Sequence, residues 1–155
     1  DEDALNLAAD KMKTDVAAYD AKAVSEFFLV EAMSPNPLAE LIINLRQDPQ
    51  FGAALVLGSG GILVELLADT VTLLLPTRPV EIIRALKSLR VGPLLEGFRG
   101  GQAVDIPKVA EEIYKLCITY QEHMKTIAEI EINPLFVYRE KVSAIDALVQ
   151  VPSDK

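Results

Sequence analysis

Glu129-Ile130-Glu131-Ile132-Asn133-Pro134-Leu135 is the stretch on which the reading of this chain turns. Its first five residues alternate polar and apolar, the period of a half-buried strand, so Glu129, Glu131 and Asn133 share one face while Ile130 and Ile132 point into a core. Pro134 has no N–H for a ladder, and a proline inside an otherwise continuous strand calls for a local break. Downstream, Val142 to Val149 alternates similarly and reads as the second strand of a hairpin. If the loop is Tyr138 to Lys141, then Val137 pairs with Val142. Paired residue numbers keep a constant sum along an antiparallel ladder, so Asn133 falls opposite Asp146. Two acids and an amide on adjacent strands supply the hard oxygens that Mg²⁺ takes alongside water and substrate phosphates. A solvated acidic face produces the same pattern, since exposed strands also carry Glu at alternate positions.

Upstream of this hairpin, Ile106, Val109, Ile113, Leu116, Cys117 and Tyr120 form a helical stripe, predicting a helix from about Asp105 to His123. Pro79, followed by Ile82, Ile83, Leu86 and Leu89, predicts another, with proline in the first turn. Leu41 to Leu45, Ala53 to Leu57, Ile62 to Leu67 and Val71 to Leu75 are apolar runs separated by turn residues at Asp48 to Gly52 and Gly58 to Gly61. They read as buried strands of one meandering sheet. Phe27-Phe28-Leu29-Val30 predicts a further strand within Val24 to Met33, ended by Pro35-Asn36-Pro37. From Asp3 to Ala18 the steps of three and four suit an amphipathic helix, with Asp3 as its cap. Gly58-Ser59-Gly60-Gly61 lacks the Lys-Ser/Thr of a P-loop and precedes strand-like sequence, so it reads as a hairpin turn. The expected class is α/β (α+β), a mostly antiparallel sheet with helices packed on one face, in a single domain over 1–155.

The chain has 155 residues and a net charge of −8, from 15 Lys and Arg against 23 Asp and Glu. That balance argues against a nucleic-acid binder, whose affinity rests on basic side chains neutralising phosphates. Half the residues are hydrophobic, with a mean hydropathy of +0.25, which excludes a disordered chain. The longest nearly uncharged apolar stretch, Gly52 to Val64, falls short of the roughly 20 residues a spanning helix needs, so no membrane partner is expected. Cys117 is the one cysteine, which allows no internal disulfide, and a reducing cytoplasm is the expected compartment. Asp1-Glu2-Asp3 has neither an initiator methionine nor the basic start of a signal peptide, so a piece excised from a longer chain is expected.

The ordered set Leu29-Val30-Glu31-Ala32, Glu40-Leu41-Ile42, Arg46 to Gly52, Gly60-Gly61-Ile62-Leu63-Val64-Glu65, Leu95 to Gly100, Glu129 to Leu135 and Ile145-Asp146 resembles the ATP-grasp domain of ADP-forming acyl-CoA synthetases. It is similar, more distantly, to the β subunit of succinyl-CoA synthetase. The resemblance runs from about Phe27 to Val149. It implies the C-terminal ATP-grasp lobe, with 1–20 a helix from the preceding lobe and 24–150 the nucleotide- and metal-binding lobe. It further implies that Glu31 and Met33 lie on the hinge that holds adenine and ribose, and that Glu40 is a second nucleotide contact. Asn133 and Asp146 match the Mg²⁺ ligands that bridge ATP phosphates, Glu131 is the acid beside them, Glu65 is a carboxylate near the same pocket, and Arg99 is a phosphate contact. Without the family, Glu31 reads as a polar strand end, Glu40 as a solvent-side residue and Arg99 as a surface partner of Glu96. Glu65, inside an apolar run, needs a partner or a cation.

The same resemblance implies the reaction of acid, CoA and ATP to acyl-CoA, ADP and phosphate, through an acyl phosphate and a phosphohistidine. Phosphoryl transfer needs lysine, loop amides and Mg²⁺ around the phosphates. In the resembled family the lysines and the glycine-rich lid lie upstream, so the partners expected are that upstream lobe and CoA-binding and ligase domains. The isolated chain is expected to be inactive and to bind ATP poorly. His123 ends a helix and nothing marks it as the phosphohistidine, and Cys117 reads as a small core residue. Two further readings remain open at this point: a regulatory ATP-grasp-like module of a protein acyltransferase without nucleotide chemistry, and a purely structural subunit-contact domain. Retention of Glu131, Asn133 and Asp146 favours the enzyme.

Overall fold

The computed structural model describes residues 1–23, 27–60 and 69–152. The chain divides into two units, Asp1–Ser34 and Pro35–Lys155. In the first, α1 (Glu2–Tyr19) is capped by Asp1, whose carboxylate accepts from the Ala4 N–H at 2.8 Å. Asp3, expected as the cap, lies inside the first turn, where its charge still complements the helix N-terminus. The strand expected within Val24 to Met33 is corrected: no sheet ladder includes Phe27 to Met33, and their apolar β-formers stay in irregular chain. Strand propensity reports a fit to a pleated surface and does not by itself make a strand.

The second unit is built on a β-hairpin. Asp48 accepts from the N–H groups of Gln50 and Phe51, both at 2.9 Å, and Gly52 takes φ +83°. That turn joins β1 (Ala39–Asp48) to β2 (Gly52–Ser59) in register from Asp48 opposite Gly52 to Leu41 opposite Ser59. Gly58 and Ser59 therefore belong to a strand and not to the turn expected there. Gly58 is a glycine because a Cβ would stand 2.9 Å from the Asp69 carbonyl oxygen. β3 (Thr70–Leu74) covers the outer edge of β2, and β4 (Glu129–Val137) the other edge of β1, followed by β5 (Val142–Ala144) and β6 (Ala147–Gln150), which share β4's far side. Every pairing among the described residues is antiparallel. The strand expected at Ile62 to Leu67 lies outside the described residues.

α2 (Pro79–Ser88), the short α3 (Gly92–Leu95), a 3₁₀ turn (Phe98–Gly100) and α4 (Ile106–His123) form the helical layer. Pro79 opens α2, as the sequence leads one to expect, and Asp105 caps α4, accepting from the Lys108 N–H at 3.1 Å. Leu41, Ile43 and Leu45 of β1, with Leu55 and Leu57 of β2, are fully withdrawn from solvent and form one core with Ile82, Leu86, Val109 and Ile113. The helices thus cover the face of β1 that carries its odd-numbered residues. Glu40, Ile42 and Asn44 fall on the opposite face.

Candidate functional site

β4 changes phase in mid-strand. Ile130 and Ile132 are buried, and so are Leu135 and Val137, three residues on rather than two. A strict period of two would turn Leu135 and Val137 to the wrong face, because a slip of one residue inverts every later side chain. The structure absorbs the extra residue as a β-bulge: Ile43 pairs with Ile132 and Leu41 with Leu135, leaving Asn133 and Pro134 together opposite Ile42. Pro134, which has no N–H to offer, sits where the ladder is interrupted. Its position in the sequence already called for that break.

On the other side of β4 the hairpin keeps one register throughout. Val137 lies opposite Val142, Leu135 opposite Ala144, Ile132 opposite Ala147 and Glu129 opposite Gln150. At the interruption the Asn133 N–H donates to the Asp146 carbonyl at 3.2 Å, and the Ile145 N–H to the Pro134 carbonyl at 3.1 Å. Asn133 and Asp146 are therefore cross-strand neighbours, the register expected from the loop length. Glu131 stands two residues along β4 on the half-exposed side, and Asp146 is exposed.

The face around the bulge holds more than the sequence pattern singles out. Asn44, opposite Glu131 on β1, is 8 % exposed, and its Nδ2 donates to Glu131 Oε2 at 3.3 Å and also to Glu129 Oε1. Its Oδ1 is buried with no partner among the described residues. Sequence reading passed over Asn44, although an amide in the apolar run Leu41 to Leu45, in step with Glu40, was the available signal. Glu40 flanks the bulge on its other side, opposite Phe136, and its carbonyl accepts from the Gly60 N–H at 2.7 Å. Glu40, Asn44, Glu131 and Asn133 thus gather round one irregularity.

The other expected site residues are Arg99, Glu31, Met33 and Glu65. Arg99 occupies the 3₁₀ turn in a left-handed conformation (φ +53°), its guanidinium 5.1 Å from the centre of the Phe98 ring. Among the described residues no hydrogen bond or ion pair joins it to β4, and Glu96 pairs instead with Lys87 at 2.9 Å. Glu31 and Met33 are exposed in the first unit, in irregular chain rather than on a strand. Glu65 lies outside the described residues. Among the described residues no three Asp, Glu, His or Cys side chains form a metal cluster. The donor set at the hairpin is two carboxylates and an amide oxygen, the all-oxygen composition that fits a hard divalent cation retaining water and phosphate ligands.

The ATP-grasp domain family matches residues 1–151. The chain belongs to that family. This ATP-grasp chain is 36 % identical over 108 residues to the β subunit of acetate–CoA ligase [ADP-forming] I from Pyrococcus furiosus, covering 70 % of this chain and 46 % of the subunit. A second relative, 4-hydroxybutyrate–CoA ligase [ADP-forming] from Nitrosopumilus maritimus, is 38 % identical over 119 residues, which are 77 % of this chain and 17 % of that enzyme. Among solved structures, the dinucleotide-forming acetyl-coenzyme A synthetase 1 of Ca. Korarchaeum cryptofilum in complex with coenzyme A and Mg-AMPPCP superposes with a TM-score of 0.71 at 32 % identity, over 77 % of this chain and 55 % of that one. The ATP-grasp chain therefore spans about half the length of the ligase β subunits it matches. No helix among the described residues is long and apolar enough to cross a membrane.

Proposed function

We propose that this chain is the ATP- and Mg²⁺-binding lobe of an ADP-forming acyl-CoA synthetase, in which Asn133 and Asp146 hold the metal and Glu131 stands beside them. The reading rests on one observation, the backbone bond that sets Asn133 opposite Asp146 at the bulge. Bound there, Mg²⁺ would neutralise charge on the transferring phosphates. The chain's own residues would do the positioning: the Asn133 amide oxygen on β4 and the Asp146 carboxylate between β5 and β6 would hold the metal, and Glu40 would contact the nucleotide. Arg99, Glu65 and the hinge residues Glu31 and Met33 keep the roles that the family resemblance implies. In this reading residues 1–20 go with the preceding lobe and 24–150 with the metal lobe. An upstream lobe supplies the phosphate lid, further domains bind CoA and a carboxylic acid, and the enzyme works in the cytoplasm.

The test joins the chain to its upstream lobe and measures Mg·ATP and Mn·ATP affinity by calorimetry, in wild type and in Asn133→Ala with Asp146→Ala. The expected result is a loss of at least the 10- to 100-fold that even outer partners of a metal site command, roughly. Equal affinity in both proteins rejects the metal assignment and favours a regulatory module without nucleotide chemistry.

A further inference from the structure

Asn44 carries a burden that the metal reading leaves unexplained. Carboxylates accept and do not donate, so the amide must turn its nitrogen toward Glu129 and Glu131, and both contacts are made from that one nitrogen. This orientation leaves Oδ1 buried without a donor among the described residues. A buried acceptor is normally paired, and an apolar residue of similar size at this strand position would leave none behind. The arrangement is costly as packing and becomes intelligible as a clamp. Two like charges at alternate positions of one strand repel, and the described ion pairs assign no cation to either. Asn44 ties both down with neutral N–H groups.

We infer that Asn44 is a positioning residue that fixes the Glu131 carboxylate beside the Asn133 and Asp146 pair, so that a divalent cation meets a preformed set of oxygens. The inference rests on the metal reading of the hairpin. Asn44 itself does not ligate. It acts through Glu131, as outer partners of metal ligands generally act, by holding an acid in one orientation.

The test uses the chain joined to its upstream lobe, with Mn²⁺ and a non-hydrolysable ATP analogue. Binding is read from selective broadening of the amide signals of Asn133 and Asp146, and thermal midpoints are recorded with and without Mg²⁺. Three proteins are compared: wild type, Asn44→Leu, and Asn133→Ala with Asp146→Ala. Leucine fills the volume and removes both donors and the orphan acceptor. The expected result is broadening in wild type, its abolition in the double variant, and Mn²⁺ binding about tenfold weaker in Asn44→Leu. The midpoint of metal-free Asn44→Leu should equal or exceed that of wild type, with the rise on adding Mg²⁺ reduced. A merely structural amide predicts the reverse, a lower midpoint with unchanged Mn²⁺ affinity in the folded protein, and that outcome overturns the inference while the metal reading stands. Identical broadening in wild type and the double variant, or none in wild type, overturns both.

Discussion

Tyr120→Phe tests how the helical layer sets the entry of β4. Tyr120 on α4 is fully buried, and its hydroxyl donates to the Ala128 carbonyl at 2.9 Å. The Ala128 N–H donates to Gln150 at 2.8 Å, so the residue before Glu129 is fixed from the helix and from β6 together. The substitution keeps the ring and removes one hydrogen bond, and the half-exposed Ala128 carbonyl can recover part of its loss from water. The cost is about 1–2 kcal/mol. For a chain of this length each kcal/mol moves the midpoint about 3–4 °C, so a fall of about 3–8 °C is expected by calorimetry at pH 8. Burial, and then the charge of Glu129, holds the phenol above its usual value of 10.0. A raised pKa means that the folded state binds the proton more tightly. That contribution is complete below pH 10 and disappears as pH rises through the folded value. Phenylalanine has nothing to titrate, so the gap between the two proteins should narrow above pH 10. A gap that stays constant through the alkaline range, or no gap at pH 8, refutes the reasoning.

Gly60→Ala should lower the urea midpoint by about 1–3 kcal/mol of stability, because its Cβ would stand 2.7 Å from the Leu41 carbonyl group and the obstructing atoms are backbone. Cys117, 1 % exposed and with its thiol pushed up to about 12 by burial, should not react with a disulfide reagent at pH 8 until the protein is unfolded. Rapid labelling of the native protein would contradict its placement in the core. Asp48 lies below its usual 3.8 through the Gln50 and Phe51 N–H groups, and Glu81 below 4.5 through its bonds to Arg78. Each therefore stabilises the fold above those values and ceases to do so as pH falls through its lower folded pKa, so Asp48→Asn and Glu81→Gln should flatten the acid limb of an unfolding-versus-pH curve.

Periodicity made much of the molecule legible in advance. The apolar stripe of α4, the proline that opens α2 and the runs at Leu41 and Ala53 each stand where the structure has a helix or a strand, since burial on one side of a regular element writes its period into the chain. The hairpin register followed from loop length alone, because antiparallel pairing permits no independent choice once one pair is fixed. The phase change from Ile132 to Leu135 was also present in the sequence, with Pro134 marking its place.

Tertiary structure decided what depends on neighbours distant along the chain. Phe27 to Val30 has the composition of a strand and enters no ladder, and Gly58-Ser59 has the composition of a turn and lies inside β2. In both cases the available partner, not local preference, set the outcome. Asn44 is the sharper case: 85 residues separate it from Glu129, and only the pairing of β1 with β4 converts an unremarked amide into the group that holds two acids. A sequence records which faces are to be buried through its period. It does not record which face meets which, because that depends on the order of strands in the sheet, and the candidate site is assembled only where two of those faces come together.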